Sequence, residues 1–392
     1  MKALGTNRMV AQAMFAIATV ATLVAVSACG SSHDNSGGGS TESVQGSSAG
    51  FQEAKKLAAS FKAAPTSIGI TQPVGKSIPK NKTVVLVGAG QGGSGTQVTY
   101  KGFEDANRYL GWNIKTINPT EPTPQLMQQA LTQALQLNPD AVVISAVATA
   151  PIAQQLKQFQ EKGIPVVSTT GPDPTGGLLT LQLMGSDGLG RLAAATADQT
   201  LADMGKPGVV GMVGIEGYQI ITDYSKYYEN EIKRLCPDCS IKQTMLTLSS
   251  LGSTAGSDIV NWVRANPTMK SVFVGWDGMD ANLFSAAKQA SVTLPDVYST
   301  ALVSSNIPTL RSGDLTASTP MDTTELGWRL ADALARIFSG QTADALKQDL
   351  QYIAPVIWSK ANGNVPTSVP ADGSYPPIVS NFQDQYRTLW GV

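Results

Sequence analysis

From Lys82 onward, short β-branched runs alternate with longer helical patterns, and this alternation is what most restricts the folds open to the chain. Thr83–Val87 is apolar on both faces, as a strand buried between two layers must be. A helical pattern over Gln97–Leu110 follows and stops at Gly111, which suits the left-handed position after a helix. Strands over Asn113–Asn118, Ala141–Ser145 and Pro165–Thr169 come next, separated by helices over Pro124–Leu137 and Pro151–Lys162. The pattern then restarts. An extended segment over Leu179–Met184 and a helix over Gly190–Met204 precede strands at Val209–Val213, Ser240–Leu246, Ser271–Gly275 and Val297–Thr300. Helices at Ile220–Leu235, Asp258–Arg264 and Ala281–Gln289 fill the gaps. Two such series predict an α/β chain of two doubly wound parallel-sheet lobes. A last long helix, Thr323–Phe338, follows a break at Thr319-Pro320 and packs back on the first lobe, which makes a multi-crossover hinge.

A length of 392 residues is enough for two domains that each bury a core. The 28 Lys+Arg residues balance 29 Asp+Glu, so no basic stripe is available for nucleic acid and no acidic tail for a basic partner. The single histidine, His33, lies among Ser, Gly and Asn residues. No Ser/His/Asp triad, Cys/His dyad or His-ligated zinc site can therefore form in the folded part, and no cofactor or metal is expected.

The N-terminus sets the compartment. Lys2 and Arg8 precede an uncharged apolar run, Met9–Ala28, which reads as a secretion signal, with an uncleaved membrane anchor as the alternative. Val26-Ser27-Ala28-Cys29 resembles the lipobox of bacterial lipoproteins, which implies a signal peptide over 1–28 and lipidation of Cys29. Residues 29–50 are nearly all Ser, Gly, Asn, Asp and Thr and read as a flexible tether, with an r.m.s. reach of about 25 Å. Within a lead-in segment over 51–81, residues 51–64 form a short amphipathic helix expected to dock on the main body. The first lobe is then assigned 82–186 with 321–350, and the second 187–320 with 351–392, whose tail aromatics Trp358, Tyr375, Phe382, Tyr386 and Trp390 are read as packing on the second lobe. The spacing of Cys236 and Cys239 fits a redox motif in a cytosolic chain. In an exported one it favours a structural disulfide between a helix end and the next strand.

Several runs carry a family likeness. Val84–Gly88, Gly102-Phe103, Gly111-Trp112, Asn138-Pro139-Asp140-Ala141-Val142-Val143-Ile144 and Lys162-Gly163-Ile164-Pro165-Val166-Val167 resemble the first lobe of type 1 periplasmic binding proteins, the ribose and galactose binding class. Gly185-Ser186-Asp187, Gly190-Arg191-Leu192-Ala193 and Val272-Phe273-Val274-Gly275-Trp276-Asp277 resemble that family's hinge crossing and second lobe. The resemblance spans about residues 82 to 345. It implies the non-enzymatic receptor of an ABC importer, closing two lobes over a small molecule and presenting it to a membrane permease. A ligand-sensing subunit of a membrane signalling receptor is the alternative, and an extracytoplasmic enzyme lacks a visible carboxylate pair. A neutral, leashed receptor is expected to act as a monomer.

Doubly wound sheets bind ligands beyond the carboxyl ends of their strands, so the loops there are the candidate site. Gly88-Ala89-Gly90-Gln91-Gly92-Gly93 matches a dinucleotide fingerprint formally, but no acidic residue follows at the required distance and the chain is exported. The loop reads instead as a cleft segment whose Gln91, Ser94, Thr96 and Gln97 hydrogen-bond a ligand. Matched to the resembling family, the charged sugar-binding positions fall here on Thr170-Gly171, Thr222, Trp276 and near Met321, leaving Asp277. A sugar hydroxyl buried without a partner costs about 1 to 3 kcal/mol, so such a lining suits a ligand less polar than a hexose. Trp276, Tyr218 and Met321 would contact it, with Asp277, Gln219 and Thr170 fixing its orientation. A two-residue slip brings in Asp173, Asp223 or Asp322 instead. Trp276 can equally be an interlobe core residue and Asp277 a helix N-cap. The hydroxyl-rich loop Ser249–Ser257 contacts ligand or caps the following helix.

Overall fold

Two five-stranded sheets, every pairing within them parallel, organise the chain. The structure, a computed structural model, describes residues 41–88, 94–121, 123–172, 174, 176–342, 346 and 353–392. The first sheet contains β1 (Thr83–Val87), β2 (Asn113–Ile117), β3 (Ala141–Ser145), β4 (Val166–Thr169) and β5 (Leu181–Leu183), in the order β2-β1-β3-β4-β5. The second contains β6 (Val209–Ile215), β7 (Ser240–Leu246), β8 (Met269–Val274), β9 (Asp296–Leu302) and β10 (Ala317–Pro320), in the order β7-β6-β8-β9-β10. The two lobes thus share one topology, as the repeated sequence pattern requires.

Alternation along the strands builds the first lobe. Val84, Leu86, Ala141, Val143 and Val167 face one side and join Phe103 and Leu110 of α2 (Ser94–Leu110). Val85, Val87, Val142, Ile144 and Val166 face the other and join Met127, Leu131 and Ala134 of α3 (Pro124–Gln136) and Leu156 and Phe159 of α4 (Ala153–Glu161). Both sheet faces are therefore dry, which explains strands that are apolar throughout. The second lobe has α5 (Ser186–Met204), α6 (Gln219–Leu235), α7 (Ala255–Ala265), α8 (Leu283–Gln289) and α9 (Ile307–Ser312) around its sheet. Tyr228 of α6 stacks on Phe273 of β8 at a centroid distance of 3.9 Å. Cys236 and Cys239 form a disulfide with a Cα–Cα distance of 5.3 Å, tying the end of α6 to the start of β7.

Four expectations change. Residues 41–50, read as tether, belong to helix α1 (Thr41–Ser60), because Gly50, Phe51, Ala54 and Ala58 find a face to pack on. That face is the second lobe: a Cβ on Gly50 would lie 1.8 Å from the Leu235 carbonyl oxygen. Thr319-Pro320, read as a break, ends strand β10, whose register shifts at the proline where an N–H is missing. The segment Ile307–Ser312 forms α9, which the sequence pattern did not single out. Finally, the tail 351–392 does not pack wholly on the second lobe. Trp358 and Tyr375 join the second-lobe core, whereas Phe382, Tyr386 and Trp390 of α11 (Phe382–Trp390) join the first-lobe core.

Helix α10 (Thr323–Phe338) returns to the first lobe as expected and crosses α2 at two glycines. A Cβ on Gly102 would sit 2.3 Å from the Thr324 carbonyl oxygen, and one on Gly327 would sit 2.1 Å from the Thr99 carbonyl oxygen. Backbone lies against backbone there, so no side chain can move aside. Gly327→Ala is expected to cost about 3 kcal/mol or more, read as a lowered urea midpoint at unchanged slope. An unchanged midpoint would show that the helices do not cross this closely.

Candidate ligand-binding site

The strand order reverses at β1/β3 in the first lobe and at β6/β8 in the second, and the carboxyl ends of these strands are where such sheets hold ligands. On the first lobe, Thr96 at the start of α2 meets Ser145 at the end of β3, hydroxyl to hydroxyl at 3.2 Å. The buried Tyr100 hydroxyl donates to the Val87 carbonyl at 2.6 Å and holds α2 against β1. Beyond β4, Thr170 is half-buried and its hydroxyl donates to the Thr169 carbonyl at 2.8 Å. The Thr169 and Ser168 hydroxyls are buried and without a partner among the described residues.

Backbone strain collects at the same places. Ala146 (φ 58°), Thr170 (φ 53°), Met184 (φ 48°) and Ala301 (φ 58°) are left-handed non-glycine residues at or beside the carboxyl ends of β3, β4, β5 and β9. Each such conformation costs about 1 to 3 kcal/mol and persists where the surroundings impose it, typically around functional sites.

On the second lobe, Glu216 is exposed beyond β6, and the half-buried Tyr218 leads into α6. Gln219 is exposed and donates to the Asp223 carboxylate at 2.7 Å; Thr222 is exposed one helical turn beyond Tyr218. Trp276 is half-buried and packs against the second-lobe core, its ring close enough to Gly278 that a Cβ there would lie 2.3 Å from it. It is part core residue and part surface.

Asp277 is fully enclosed. Its Oδ2 accepts the Val303 amide at 2.8 Å, and Asn306 Nδ2 donates to its carbonyl (2.9 Å), to its Oδ2 (3.2 Å) and to Asp280 Oδ1 (2.7 Å). The group clasps the end of β8 to the end of β9. Burial, and after it the charge of Asp280, push the Asp277 carboxyl well above the usual carboxylate range, and burial raises Asp280 to about 7. Asp277 Oδ1 is buried with no partner among the described residues. Met321 is half-buried in the link from β10 to α10.

Of the residues expected to form a site, Thr96, Thr170, Tyr218, Gln219, Thr222, Trp276, Asp277 and Met321 lie on or next to strand-end connections. Gln97 lines, together with Thr96, a recess of about 160 Å³ whose other walls are Tyr100, Lys101, Glu104, Thr116 and Asn118, on the β2 side of α2. Gln91, Asp173 and Cys29 lie outside the described residues, as does the side chain of Ser94. Ser145, Thr169, Asp280 and Asn306 were not singled out. The Asp277/Asp280 spacing was the visible signal for Asp280.

The charge of this face is one-sided. By sequence, the connections leaving the carboxyl ends of the ten strands contain Glu121, Asp173, Glu216, Asp277, Asp280 and Asp322 and no Lys, Arg or His. The connections entering the strands carry both signs, Lys80, Lys82, Lys162 and Lys206 alongside Asp140, Asp238 and Asp314. A carboxylate or phosphate ligand therefore has no side-chain cation to meet at the strand ends.

Asp322 governs the link between lobes. It caps α10 by accepting the Glu325 amide at 2.8 Å and reaches the Ile378 amide at 3.2 Å. Burial raises its carboxyl to about 7 despite these amides. The unfolded carboxyl titrates near pH 4, so between pH 4 and pH 7 the folded chain holds a proton that the unfolded chain has lost. This group's contribution to stability is complete below pH 4 and is lost as the pH rises toward 7, on the order of 4 kcal/mol. Thermal unfolding should thus occur at a lower temperature at pH 8 than at pH 5.5, and Asp322→Asn should shrink that difference. Equal midpoints in the unaltered chain would contradict the protonated carboxyl.

Residues 84–342 match the family described as a periplasmic binding protein domain. No curated protein matches the chain. Among solved structures, an ABC transporter solute binding protein from Agrobacterium vitis with bound allitol is similar at 20% identity and a TM-score of 0.62, covering 73% of this chain and 97% of that one. A periplasmic ribose ABC transporter protein from Conexibacter woesei is 14% identical, with a TM-score of 0.63 and coverage of 77% and 100%. A 5-methylthioribose transporter solute binding protein from Thermotoga lettingae, in complex with 5-methylthioribose, is 16% identical, with a TM-score of 0.63 and coverage of 80% and 100%. At these identities the likeness concerns the fold.

Proposed function

The chain belongs to the periplasmic binding protein domain family, and on that premise we propose that it is the monomeric solute-binding lipoprotein of an ABC importer, anchored outside the cytoplasm through Cys29. It holds an uncharged, sugar-like ligand less polar than a hexose between its lobes and delivers it to a membrane permease. Members of the family bind solutes rather than transform them, so the chain is a receptor and not an enzyme.

The observation that carries the ligand reading is the absence of any Lys, Arg or His from the ten strand-end connections, together with a half-buried indole at Trp276 and a thioether at Met321. Threonine and serine hydroxyls at positions 96, 145, 169 and 170 offer directional contacts without charge. The similar Agrobacterium vitis and Thermotoga lettingae structures hold allitol and 5-methylthioribose, both uncharged, the second carrying an apolar methylthio group. The lipid anchor rests on the sequence around Cys29.

A thermal-shift screen of the secreted form tests this with three sets: hexoses and pentoses, the same sugars bearing an apolar substituent, and sugar acids. A ligand at one hundred times its dissociation constant adds about 2.7 kcal/mol of stability. Substituted neutral sugars are expected to give that shift, and Trp276→Ala to abolish it. Stabilisation by sugar acids would overturn the uncharged-ligand reading, and a preference for unsubstituted hexoses would overturn the apolar one.

A further inference from the structure

The family match runs from residue 84 to 342, and the described segments on either side of it are fastened to both lobes. Helix α1 seats Phe51, Ala54 and Ala58 in the second-lobe core, and Glu53 pairs with Arg234 at 2.7 Å. The chain then leaves that lobe together with the C-terminal tail. The Phe61 carbonyl accepts the Ile357 amide at 2.8 Å, the Lys62 carbonyl accepts Asn364 Nδ2 at 2.9 Å, and Trp358 pairs with Ser318 of β10 through bonds of 2.9 and 3.0 Å.

At the first lobe the same two segments are fastened again. Gln385 of α11 donates to the Thr66 carbonyl at 2.9 Å and accepts the Ile68 amide at 3.1 Å, while the Val74 amide donates to the Leu389 carbonyl at 2.9 Å. From α10, Arg329 reaches the Ile68 carbonyl at 2.6 Å and Arg336 the Gln72 carbonyl at 2.7 Å. Between these ends the tail is buckled to the hinge itself. The Tyr375 amide donates to Thr324 Oγ1 and its hydroxyl to the Leu302 carbonyl, both at 2.7 Å.

Successive described core residues change lobe five times: Ala58 to Ile68, Leu183 to Met184, Leu326 to Trp328, Leu346 to Val356, and Ile378 to Val379. Hinge opening is absorbed by dihedral changes in a few crossing residues, and each further crossing fastened at both ends must change in step with the others. We propose that residues 61–74 and 353–389 form a belt across the hinge that limits how far the two lobes part in the absence of ligand. A receptor held in this way keeps its binding-competent state well populated before any solute arrives.

The test uses the full-length chain without ligand, carrying spin labels at the exposed positions Gln133 of α3 and Lys226 of α6. Two variants loosen the belt. Gly50→Val drives α1 off the Leu235 carbonyl, and the double substitution Asn364→Ala with Gln385→Ala removes the exposed side-chain ties. Pulsed dipolar spectroscopy is expected to show a single narrow distance for the unaltered chain and an outward, broadened distribution for each variant, with thermal unfolding still cooperative. A distribution in the double variant identical to that of the unaltered chain would overturn the proposal, and this holds even if Gly50→Val fails to fold. The readout is independent of what the ligand is.

Discussion

Helix α10 presents a buried ladder of charges on which much of the remaining architecture depends. Glu325 pairs with Arg329 at 2.9 Å and Asp332 with Arg336 at 2.7 Å, all four side chains nearly inaccessible to water. Desolvating such pairs costs more than their mutual attraction returns unless every remaining hydrogen-bonding position is filled. Here those positions are filled from elsewhere in the chain. The Tyr386 hydroxyl donates to Glu325, the Trp390 indole donates to Asp332 at 2.8 Å, and each arginine donates to a carbonyl of the segment 68–72. A helix belonging to neither sheet thus specifies where the segment 68–72 and the helix Phe382–Trp390 must lie. A hydrophobic face of the same size would hold them as firmly but would not dictate register.

The aromatic packing around α10 follows from that placement. Trp328 stacks on Trp390 at 5.5 Å with nearly parallel rings and meets Phe382 edge-on at 5.8 Å. The two glycines that let α10 approach α2 are the complement of this arrangement: polar and aromatic groups crowd one side of the helix, and bare backbone occupies the other.

Much of the fold was legible because strand and helix periods differ and because strands covered on both faces read as unbroken apolar runs. Thr83–Val87, Ala141–Ser145, Ser240–Leu246 and Thr323–Phe338 have the bounds their patterns indicate. What escaped had weak periodicity or depended on distant partners. Ala317–Pro320 is a strand of small and hydroxyl-bearing residues, stabilised by β9 on one side and by the bridge to Trp358 on the other. The tail aromatics were visible as a group, but their division between two cores is decided by α10, some fifty residues earlier in sequence. The strand-end position of the candidate loops was readable because it follows from the strand pattern alone. The fastening of Asp277 by Asn306 was not, since a side-chain contact between separate strand-end loops leaves no local pattern.

The placement of α1 bears on how such a molecule would work when restrained at its N-terminal side. Whatever precedes Thr41 emerges from a helix welded to the second lobe, through Gly50 against Leu235 and Glu53 against Arg234. With the chain held before Thr41, the second lobe would be the stationary member and the first lobe the one that swings. A load applied along the preceding chain would be taken up by α1, α5 and α6 without passing through the hinge, so the gap between the lobes would be mechanically insulated from it.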